Sequence, residues 1–411
     1  MQTADANAIS QAVRSIAARR FTSNQRRSMP PAAANIVAAI ISRGDKEPHT
    51  LGEALRRAEQ GSGAHLRVAA LQLPLGGPPQ SLRDSSPRGG ALSWGGLDCV
   101  PRWRGIMSKP VVIEAAINGG TPQSRNPNSP RSVEEIAADA VRAVDAGAAI
   151  VHNHNDDEVI GEGSRSRAGW HDPQPYIDAW SEALRQRPDT IFYPTQASGG
   201  PGTDIHVRLS HIAALEAAGV LGQSLIDAGS VALGGSDAEG LPNDVDAVYI
   251  NTYRDARQMF ALANRIGRGA SISIFEPGFL RVVLAYAAKG QVPSGSLVKL
   301  YFAGTGRGPL GFGMLPNEPC LDAYLSMLEG TGLEWSVAVL GGDVVGSGFA
   351  RLALEKGGHV RVGLEDFWDG ERTPSNSELL EELVSLCDEI GRPVASPTEA
   401  RELLGLPSTP Q

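Results

Sequence analysis

The strongest constraint on the fold of this chain is a regular alternation of apolar, strand-like runs with amphipathic helical patterns over residues 107–411. Alternation of this kind over roughly 300 residues predicts a parallel sheet flanked by helices. The strand-like runs cover residues 111–117, 149–152, 190–193, 223–226, 247–250, 271–275, 298–302, 335–340 and 360–364. The clearest helical patterns cover residues 132–146, 176–185, 204–217, 253–266, 318–328 and 345–355.

Eight strand–helix repeats would close a TIM (β/α)8 barrel, and this is the α/β fold that we predict. Nine runs compete for eight places. The run at 247–250 is the weakest, because it follows its predecessor without a full helix between them. An open, doubly wound sheet is the alternative, but no G-x-G-x-x-G follows the first strand, which weakens a dinucleotide-binding interpretation.

The first 106 residues differ in character from the rest of the chain. They carry 14 Lys/Arg against 7 Asp/Glu and are rich in Pro, Gly and Ser in their later half, without a strand pattern. We predict that residues 1–106 are a basic, largely unstructured N-terminal extension or a mis-assigned start, and that residues 107–411 are the functional domain. A transit peptide or a partner-binding arm is the alternative for this segment.

Composition excludes several broad classes. The net charge of −9 argues against general nucleic-acid binding, and no apolar run approaches the roughly 20 residues of a membrane span. The three cysteines, Cys99, Cys320 and Cys387, are far apart and form no C-x-x-C pair. They fit a reducing compartment, so we expect a cytoplasmic protein that binds neither nucleic acid nor a membrane.

An H-x-H motif, His152 and His154, ends the second strand-like run. Alternate side chains of a strand point to the same face, so both imidazoles would leave one side of the strand end. Two imidazoles held in this way supply two of the three protein ligands of an open zinc site. The alternative is two unrelated polar residues in a loop.

The last strand offers the best third ligand, in the sequence Arg361-Val-Gly-Leu-Glu365-Asp366. The last and second strands of a closed barrel both flank the first, so Glu365 can converge with the two histidines. Asp366, next to it, would be free to act as a base whose pKa Arg361 adjusts. A structural Arg361–Glu365 pair and a capping role for Asp366 are the alternatives.

Two glycine-rich loops could present backbone N–H groups to an anion, although either could also be a simple turn. The first contains Ser198, Gly199 and Gly200 after the third strand, and the second is 304–308 with Arg307. His171 fits a lid residue or an ordinary surface histidine.

Taken in order along the chain, these motifs resemble the β-keto acid cleavage enzymes, a family whose first characterised member is 3-keto-5-aminohexanoate cleavage enzyme. The resemblance runs from Met107 to the tail at 400–406. Its motifs are I-E-A-A-I-N-G at 113–119, N-P-N-S-P at 126–130, D-A-G-A at 145–148, H-N-H at 152–154, S-G-G at 198–200 and R-V-G-L-E-D at 361–366.

The resemblance implies a zinc-dependent TIM barrel that transfers the acyl end of a β-keto acid to the CoA of acetyl-CoA and releases acetoacetate. By position, His152, His154 and Glu365 would bind zinc. Arg361 and Asp366 would form the dyad that deprotonates the keto acid next to its ketone, so that the carbanion attacks the acetyl thioester and CoA returns in a retro-Claisen cleavage.

Substrate contacts implied by the resemblance are Asn118 and Thr121 after the first strand, Ser198 with Gly199 and Gly200 after the third, and Ser230 after the fourth. Thr121 departs from the family pattern, because the aminohexanoate enzyme has a glutamate there that meets the substrate's amine. The departure argues against a cationic substrate. Family analogy also implies a homo-oligomer, with a tetramer as the expected form.

Two other functions remain open at this stage. One is a zinc-dependent TIM-barrel aldolase or hydrolase that does not use CoA, and a strict requirement for acetyl-CoA would separate it from the first. The other is a barrel that binds a metabolite or partner without catalysis, against which the complete set of five metal and acid–base residues argues. The side chain of the substrate cannot be read from the sequence.

Overall fold

In a computed structural model the described residues are 108–155, 172–196, 204–304 and 308–407. The predicted N-terminal extension, the loop residues Ser198, Gly199 and Gly200, and His171 and Arg307 lie outside these ranges. The elements below are therefore those of the four described ranges.

The strands are β1 Ile113–Ala116, β2 Ile150–Asn153, β3 Ile191–Pro194, β4 Ser224–Asp227, β5 Val231–Ala232, β6 Val248–Tyr249, β7 Ala270–Ile274, β8 Leu297–Ala303, β9 Trp335–Leu340 and β10 His359–Val362. The helices are α1 Val133–Asp145, α2 Gln174–Gln186, α3 Ile205–Arg208, α4 Ser210–Ala217, α5 Tyr253–Ile266, α6 Pro277–Ala287, α7 Glu318–Leu328, α8 Phe349–Glu355, α9 Asn376–Ile390 and α10 Pro397–Leu404.

Eight of the strands form one parallel sheet in the order β3-β2-β1-β10-β9-β8-β7-β4. The two ends of this order meet, because the backbone amides of Gly222 and Gln223, just before β4, both donate to the carbonyl of Phe192 in β3, at 2.8 and 3.0 Å. The sheet is thus a barrel with helices between its strands, and the predicted TIM barrel is confirmed. The open-sheet alternative is wrong.

The surplus ninth run does not enter the barrel. Residues Val248–Tyr249 pair antiparallel with Val231–Ala232 in a separate two-stranded sheet. This small hairpin follows β4 and lies on the side of the barrel where the strands end. It brings Tyr249 to the mouth of the barrel, as described below.

Helix boundaries follow local sequence signals closely. The Ser132 side chain accepts from the backbone N–H of Glu135, and the Glu135 side chain accepts from the backbone N–H of Ser132, so α1 begins with a capping box. The predicted helices at 253–266 and 318–328 have the predicted bounds. The predicted helix at 204–217 is instead two helices that break at Leu209.

The apolar core lies between the barrel and its helices, where the inward faces of the helices pack on the strands. The barrel interior is more polar, since it holds Glu114, Tyr193, Lys299 and Arg361, all buried. In TIM barrels the chemistry gathers where the strands end. We therefore expect the functional site at the carboxyl ends of the barrel strands.

Candidate metal and active site

His152, His154 and Glu365 meet at the carboxyl ends of β2 and β10. His152 Nε2 lies 3.3 Å from Glu365 Oε2, and His154 Nε2 lies 3.4 Å from Glu365 Oε1. The ligand atoms of the three residues all lie within 4.8 Å of one another. The convergence expected from neighbouring strands is thus present, although Glu365 is more than 200 residues from the histidines in the chain.

This geometry fits a zinc ion. Zinc is bound by imidazole nitrogens and carboxylate oxygens, and here each oxygen of Glu365 lies 3.3 or 3.4 Å from one imidazole nitrogen. Glu365 Oε2 is buried and accepts no hydrogen bond of ordinary geometry within the described residues. His152 Nδ1 faces the Tyr193 carbonyl at 3.2 Å, which favours a proton on Nδ1 and leaves the Nε2 lone pair toward the triad.

The protonation states suit a metal site as well. Burial lowers the pKa of His152 to about 4, despite the nearby Glu365, so the ring is neutral at neutral pH. Burial raises the pKa of Glu365, but Arg361 and the two histidines outweigh it and hold this pKa well below its ordinary value. Neutral imidazoles and an ionised carboxylate are the forms that bind zinc.

Two residues of the loop after β1, Asn118 and Gly119, support the triad. Asn118 is fully buried, its Oδ1 accepts from the His154 amide at 2.9 Å, and its Nδ2 donates to the His154 carbonyl at 3.1 Å. Gly119 has a φ of +49°, and a Cβ there would lie 2.1 Å from Glu365 Cγ. Asn118 therefore fixes the backbone of one ligand, and Gly119 leaves the space that another ligand occupies.

Arg361 joins the triad to Asp366. Its Nε and Nη2 donate to the two oxygens of Asp366 at 2.7 and 3.0 Å, and Nη2 also lies 2.8 Å from Glu365 Oε1. Burial raises the pKa of Asp366 to about 6, against the lowering effect of Arg361. A buried carboxylate with this pKa, held by a guanidinium beside the triad, is suited to general-base work near neutral pH.

A buried network that sequence reasoning missed continues from Arg361 into the barrel. Arg361 Nη1 donates to Glu114 Oε1 at 2.9 Å and to the Tyr193 hydroxyl at 3.0 Å. Lys299 Nζ donates to Glu114 Oε1 at 2.9 Å, to Ser271 Oγ at 2.9 Å and to the Tyr193 hydroxyl. The sequence feature that could have indicated this network is a charged residue inside an otherwise apolar strand, Glu114 in β1 and Lys299 in β8.

Every N–H of the two cations is used within this network. Arg361 places its five donors on Asp366, Glu365, Glu114 and Tyr193, and Lys299 places its three on Glu114, Tyr193 and Ser271. Burial raises the pKa of Glu114, but Lys299 and Arg361 overcome this and lower it to about 2. The network is therefore a fixed, ionised support for the base.

The triad opens into a cavity of about 270 Å³ at the barrel mouth. His152, His154, Glu365 and Arg361 form one side of it. Asp227 at the end of β4, another residue without an earlier assignment, lies in its wall, and the Tyr249 hydroxyl donates to Asp227 Oδ2. The apolar part of the wall consists of Leu225, Leu233, Phe275, Pro309 and Leu340.

The hydroxyl groups of two predicted substrate contacts, Thr121 and Ser230, form hydrogen bonds within the protein. Thr121 is buried, and its Oγ1 donates to the Leu364 carbonyl at 2.7 Å. Ser230 Oγ donates to the Asn251 carbonyl and accepts from the Asn251 amide, both at 2.9 Å. Neither residue is among the described residues that line the cavity. Their contact with substrate stays a prediction.

No helix within the described ranges combines the length and the apolar character that crossing a bilayer requires.

Comparison with known proteins places the chain in a family. The model of the beta-keto acid cleavage enzyme family matches residues 110–406. A 3-keto-5-aminohexanoate cleavage enzyme of Fusobacterium nucleatum is 30% identical over 306 residues, which are 73% of this chain and 99% of that protein. The enzyme of the same name from Acetoanaerobium sticklandii is 28% identical over 304 residues, again 73% and 99%.

A 3-oxoadipate:acetyl-CoA acetyltransferase of Cupriavidus necator is 29% identical over 317 residues, which are 74% of this chain and 97% of that protein. The matched region contains the whole barrel and all the residues of the site described above. The chain belongs to the β-keto acid cleavage enzyme family.

Proposed function

We propose that this enzyme condenses a β-keto acid with acetyl-CoA, using zinc, to give acetoacetate and a new acyl-CoA. The observation that carries the proposal is a zinc-type triad on one side of a cavity, beside Arg361, which lines the same side and holds the carboxylate of Asp366. The names of the curated relatives, which include an acetyl-CoA acetyltransferase, support this reaction class.

His152, His154 and Glu365 would hold the zinc, with an open position toward the cavity. When bound, zinc would act as a Lewis acid toward the 3-keto oxygen of the substrate. Asn118 and Gly119 serve this role indirectly, because they fix His154 and make room for Glu365.

Asp366 would take the proton from the carbon between the ketone and the carboxylate of the keto acid. Arg361 holds both oxygens of Asp366, so the base is oriented before substrate enters. Arg361 has no donor left for a substrate carboxylate. We therefore assign Arg361 to positioning the base, and we propose the Ser198, Gly199 and Gly200 loop as the binder of the substrate carboxylate.

The proposal also includes the predictions on substrate contacts, domain bounds and oligomeric state. Thr121, Ser230 and Asn118 are proposed to line the approach of the substrate, and residues 107–411 are proposed to be the catalytic domain. A homo-oligomer, with a tetramer as the expected form, stays a prediction.

The reaction is tested by an acetoacetate assay on zinc-loaded protein with acetyl-CoA and a panel of β-keto acids. The full chain and the chain that starts at Met107 should both form acetoacetate, at similar rates, and only when acetyl-CoA is present. A reaction that proceeds equally without acetyl-CoA would point to the aldolase or hydrolase instead. Full activity in the long chain alone would show that residues 1–106 belong to the catalytic unit.

Metal content tests the site itself. We expect the double substitution His152→Ala/His154→Ala to lose bound zinc and acetoacetate formation together, because one carboxylate alone cannot hold the ion. His206→Ala, an exposed histidine of α3, is the control and should retain both. Unchanged zinc in the double variant, measured by atomic absorption, would show that the ligand assignment is wrong.

A further inference from the structure

The cavity has a second polar end, and its position follows from the order of the strands. In the ring β3-β2-β1-β10-β9-β8-β7-β4, β4 lies four places from β10 in both directions. Asp227 at the end of β4 is therefore across the barrel mouth from Glu365 and Asp366, which follow β10. A β-keto acid held at the triad by its keto group would extend its side chain toward Asp227.

Asp227 is buried and acidic, and burial raises its pKa although the charges of Lys299 and Arg208 act in the opposite direction. Among the described residues no cationic nitrogen lies within the 4 Å of an ion pair with it. Lys299 lines the same cavity, but its three donors are taken by Glu114, Tyr193 and Ser271. The hydrogen bonds of Asp227 come from neutral side chains: the Tyr249 and Ser273 hydroxyls donate to it, and the Gln196 amide, with its oxygen and nitrogen exchanged, reaches Oδ2 at 3.2 Å.

A buried carboxylate without a counter-ion is costly unless another donor reaches it. Here the carboxylate faces a cavity whose neighbouring wall is aromatic and apolar. The Tyr249 and Phe275 rings meet edge to face at 6.0 Å, and the Phe275 ring stacks on Tyr301 at 4.6 Å. This wall suits a short carbon chain, and Asp227 offers an acceptor at its end.

Resting on the proposed function, we infer that Asp227 selects β-keto acids whose side chain carries a hydrogen-bond donor, an ammonium or hydroxyl group. The same arrangement rejects an anionic side chain, because Asp227 repels it and the two described cations of the cavity have no N–H to offer. Thr121 replaces the substrate-binding glutamate of the aminohexanoate enzyme, which argued against a cationic substrate, and it does not enter the described cavity wall. The inference reverses that argument, because Asp227 would supply the acceptor from β4 instead.

The first test is calorimetric binding to the zinc-loaded full chain without acetyl-CoA. The probes are four β-keto acids that differ only in the group on carbon 5, which is ammonium, hydroxyl, methyl or carboxylate. The ammonium or the hydroxyl acid should bind at least about 10-fold more tightly than the methyl acid, as one hydrogen bond to a charged acceptor allows. The carboxylate acid should bind most weakly. Equal affinities, no binding, or tightest binding of the methyl or carboxylate acid would overturn the inference.

Two variants separate recognition from a purely structural role. Asp227→Asn should reduce the preference for the donor acids over the methyl acid to less than about 3-fold, because an amide is a weaker acceptor than a carboxylate. Tyr249→Phe should keep the preference, since it removes a donor to Asp227 and leaves the carboxylate. If Tyr249→Phe lost the preference as fully as Asp227→Asn, Asp227 would serve only to anchor the hairpin.

Adding acetyl-CoA to the same samples tests the proposed function separately. Acetoacetate formed without any preference among the acids would overturn the Asp227 inference alone. A clear preference in binding, without acetoacetate from any acid, would uphold Asp227 as the selecting residue and contradict the cleavage reaction.

Discussion

Among single residues, Gly119 decides whether Glu365 can reach the two histidines. Its left-handed φ of +49° turns the chain after β1, and the absence of a side chain leaves room for the Glu365 methylene carbons. The sequence places a glycine pair after the first strand, but it does not say which of the two faces the metal site. The structure answers this, because only Gly119 is in contact with Glu365.

We predict that Gly119→Ala weakens zinc binding by about 10- to 100-fold, the range found when a residue that supports a metal ligand is changed. The new Cβ would lie 2.1 Å from Glu365 Cγ, so the carboxylate must move. Gly120→Ala is the matched control, since a Cβ there meets nothing within 4 Å. Competition with a chelator measures both affinities, and equal zinc affinity in the two variants would contradict this role of Gly119.

On the scale of strands and helices, the buried network joins four strands that are not all neighbours. Glu114 is on β1, Tyr193 on β3, Lys299 on β8, and Arg361 on β10. Their side chains meet inside the barrel, where water cannot screen them. The pairing therefore fixes the position of Arg361, and through it Asp366, relative to distant strands.

Replacing Glu114 or Lys299 alone should destabilise the protein, and replacing both should cost less than the two single changes added together. We expect Glu114→Gln to lower the free energy of unfolding by about 3–5 kcal/mol, because it leaves the buried Lys299 without a counter-ion. Lys299→Met should lower it less, because Glu114 keeps its ion pair with Arg361. The double variant should lose clearly less than the sum of the two. Urea unfolding of the four proteins gives this coupling. Additive losses would mean that Glu114 and Lys299 do not depend on each other.

For the whole molecule, function and stability are divided between the two ends of the barrel. The candidate metal triad and Asp227 lie where the strands end, while Glu334, Lys109 and His359 meet where β1, β9 and β10 begin. His359 Nδ1 accepts from the Val112 amide at 2.9 Å, and its Nε2 lies 3.3 Å from Glu334 Oε2. This end of a TIM barrel serves stability.

The amino-terminal end should make the fold sensitive to acid. Burial raises the pKa of Glu334, but His359 and Lys109 outweigh it and lower this pKa to about 2, from an ordinary 4.5. A lowered carboxyl pKa adds stability that is present above about pH 4.5 and is lost as the pH falls toward 2. Glu334→Gln should therefore destabilise the protein at pH 7 and much less at pH 3.

Because Glu334 is partly exposed, we expect this difference to shrink by only about 1 kcal/mol between pH 5 and pH 3. Urea unfolding at the two pH values measures it, with Glu329→Gln at an exposed position as the control. A difference from wild type that is the same at both pH values would show that the ion pairs of Glu334 do not contribute to acid sensitivity.

The sequence by itself determined the alternation of strands and helices, the capping box of α1, and the alternate spacing of His152 and His154. These are local properties, because side-chain periodicity and hydrogen bonds within a few residues specify them. The strand order of a closed barrel then predicted that Glu365 lies near the two histidines, and the match over residues 110–406 confirmed the family resemblance.

Only the tertiary structure decided which remote side chains share the barrel interior. The Lys299–Glu114 pair spans 185 positions in the chain, and Asp227 faces Glu365 only because the ring of strands closes between β3 and β4. Such contacts depend on strand order, register and closure, which no short segment encodes. For that reason the cluster of His152, His154 and Glu365 could be predicted from the two strands that flank β1, whereas the buried charges around Arg361 and the second polar end of the cavity could not.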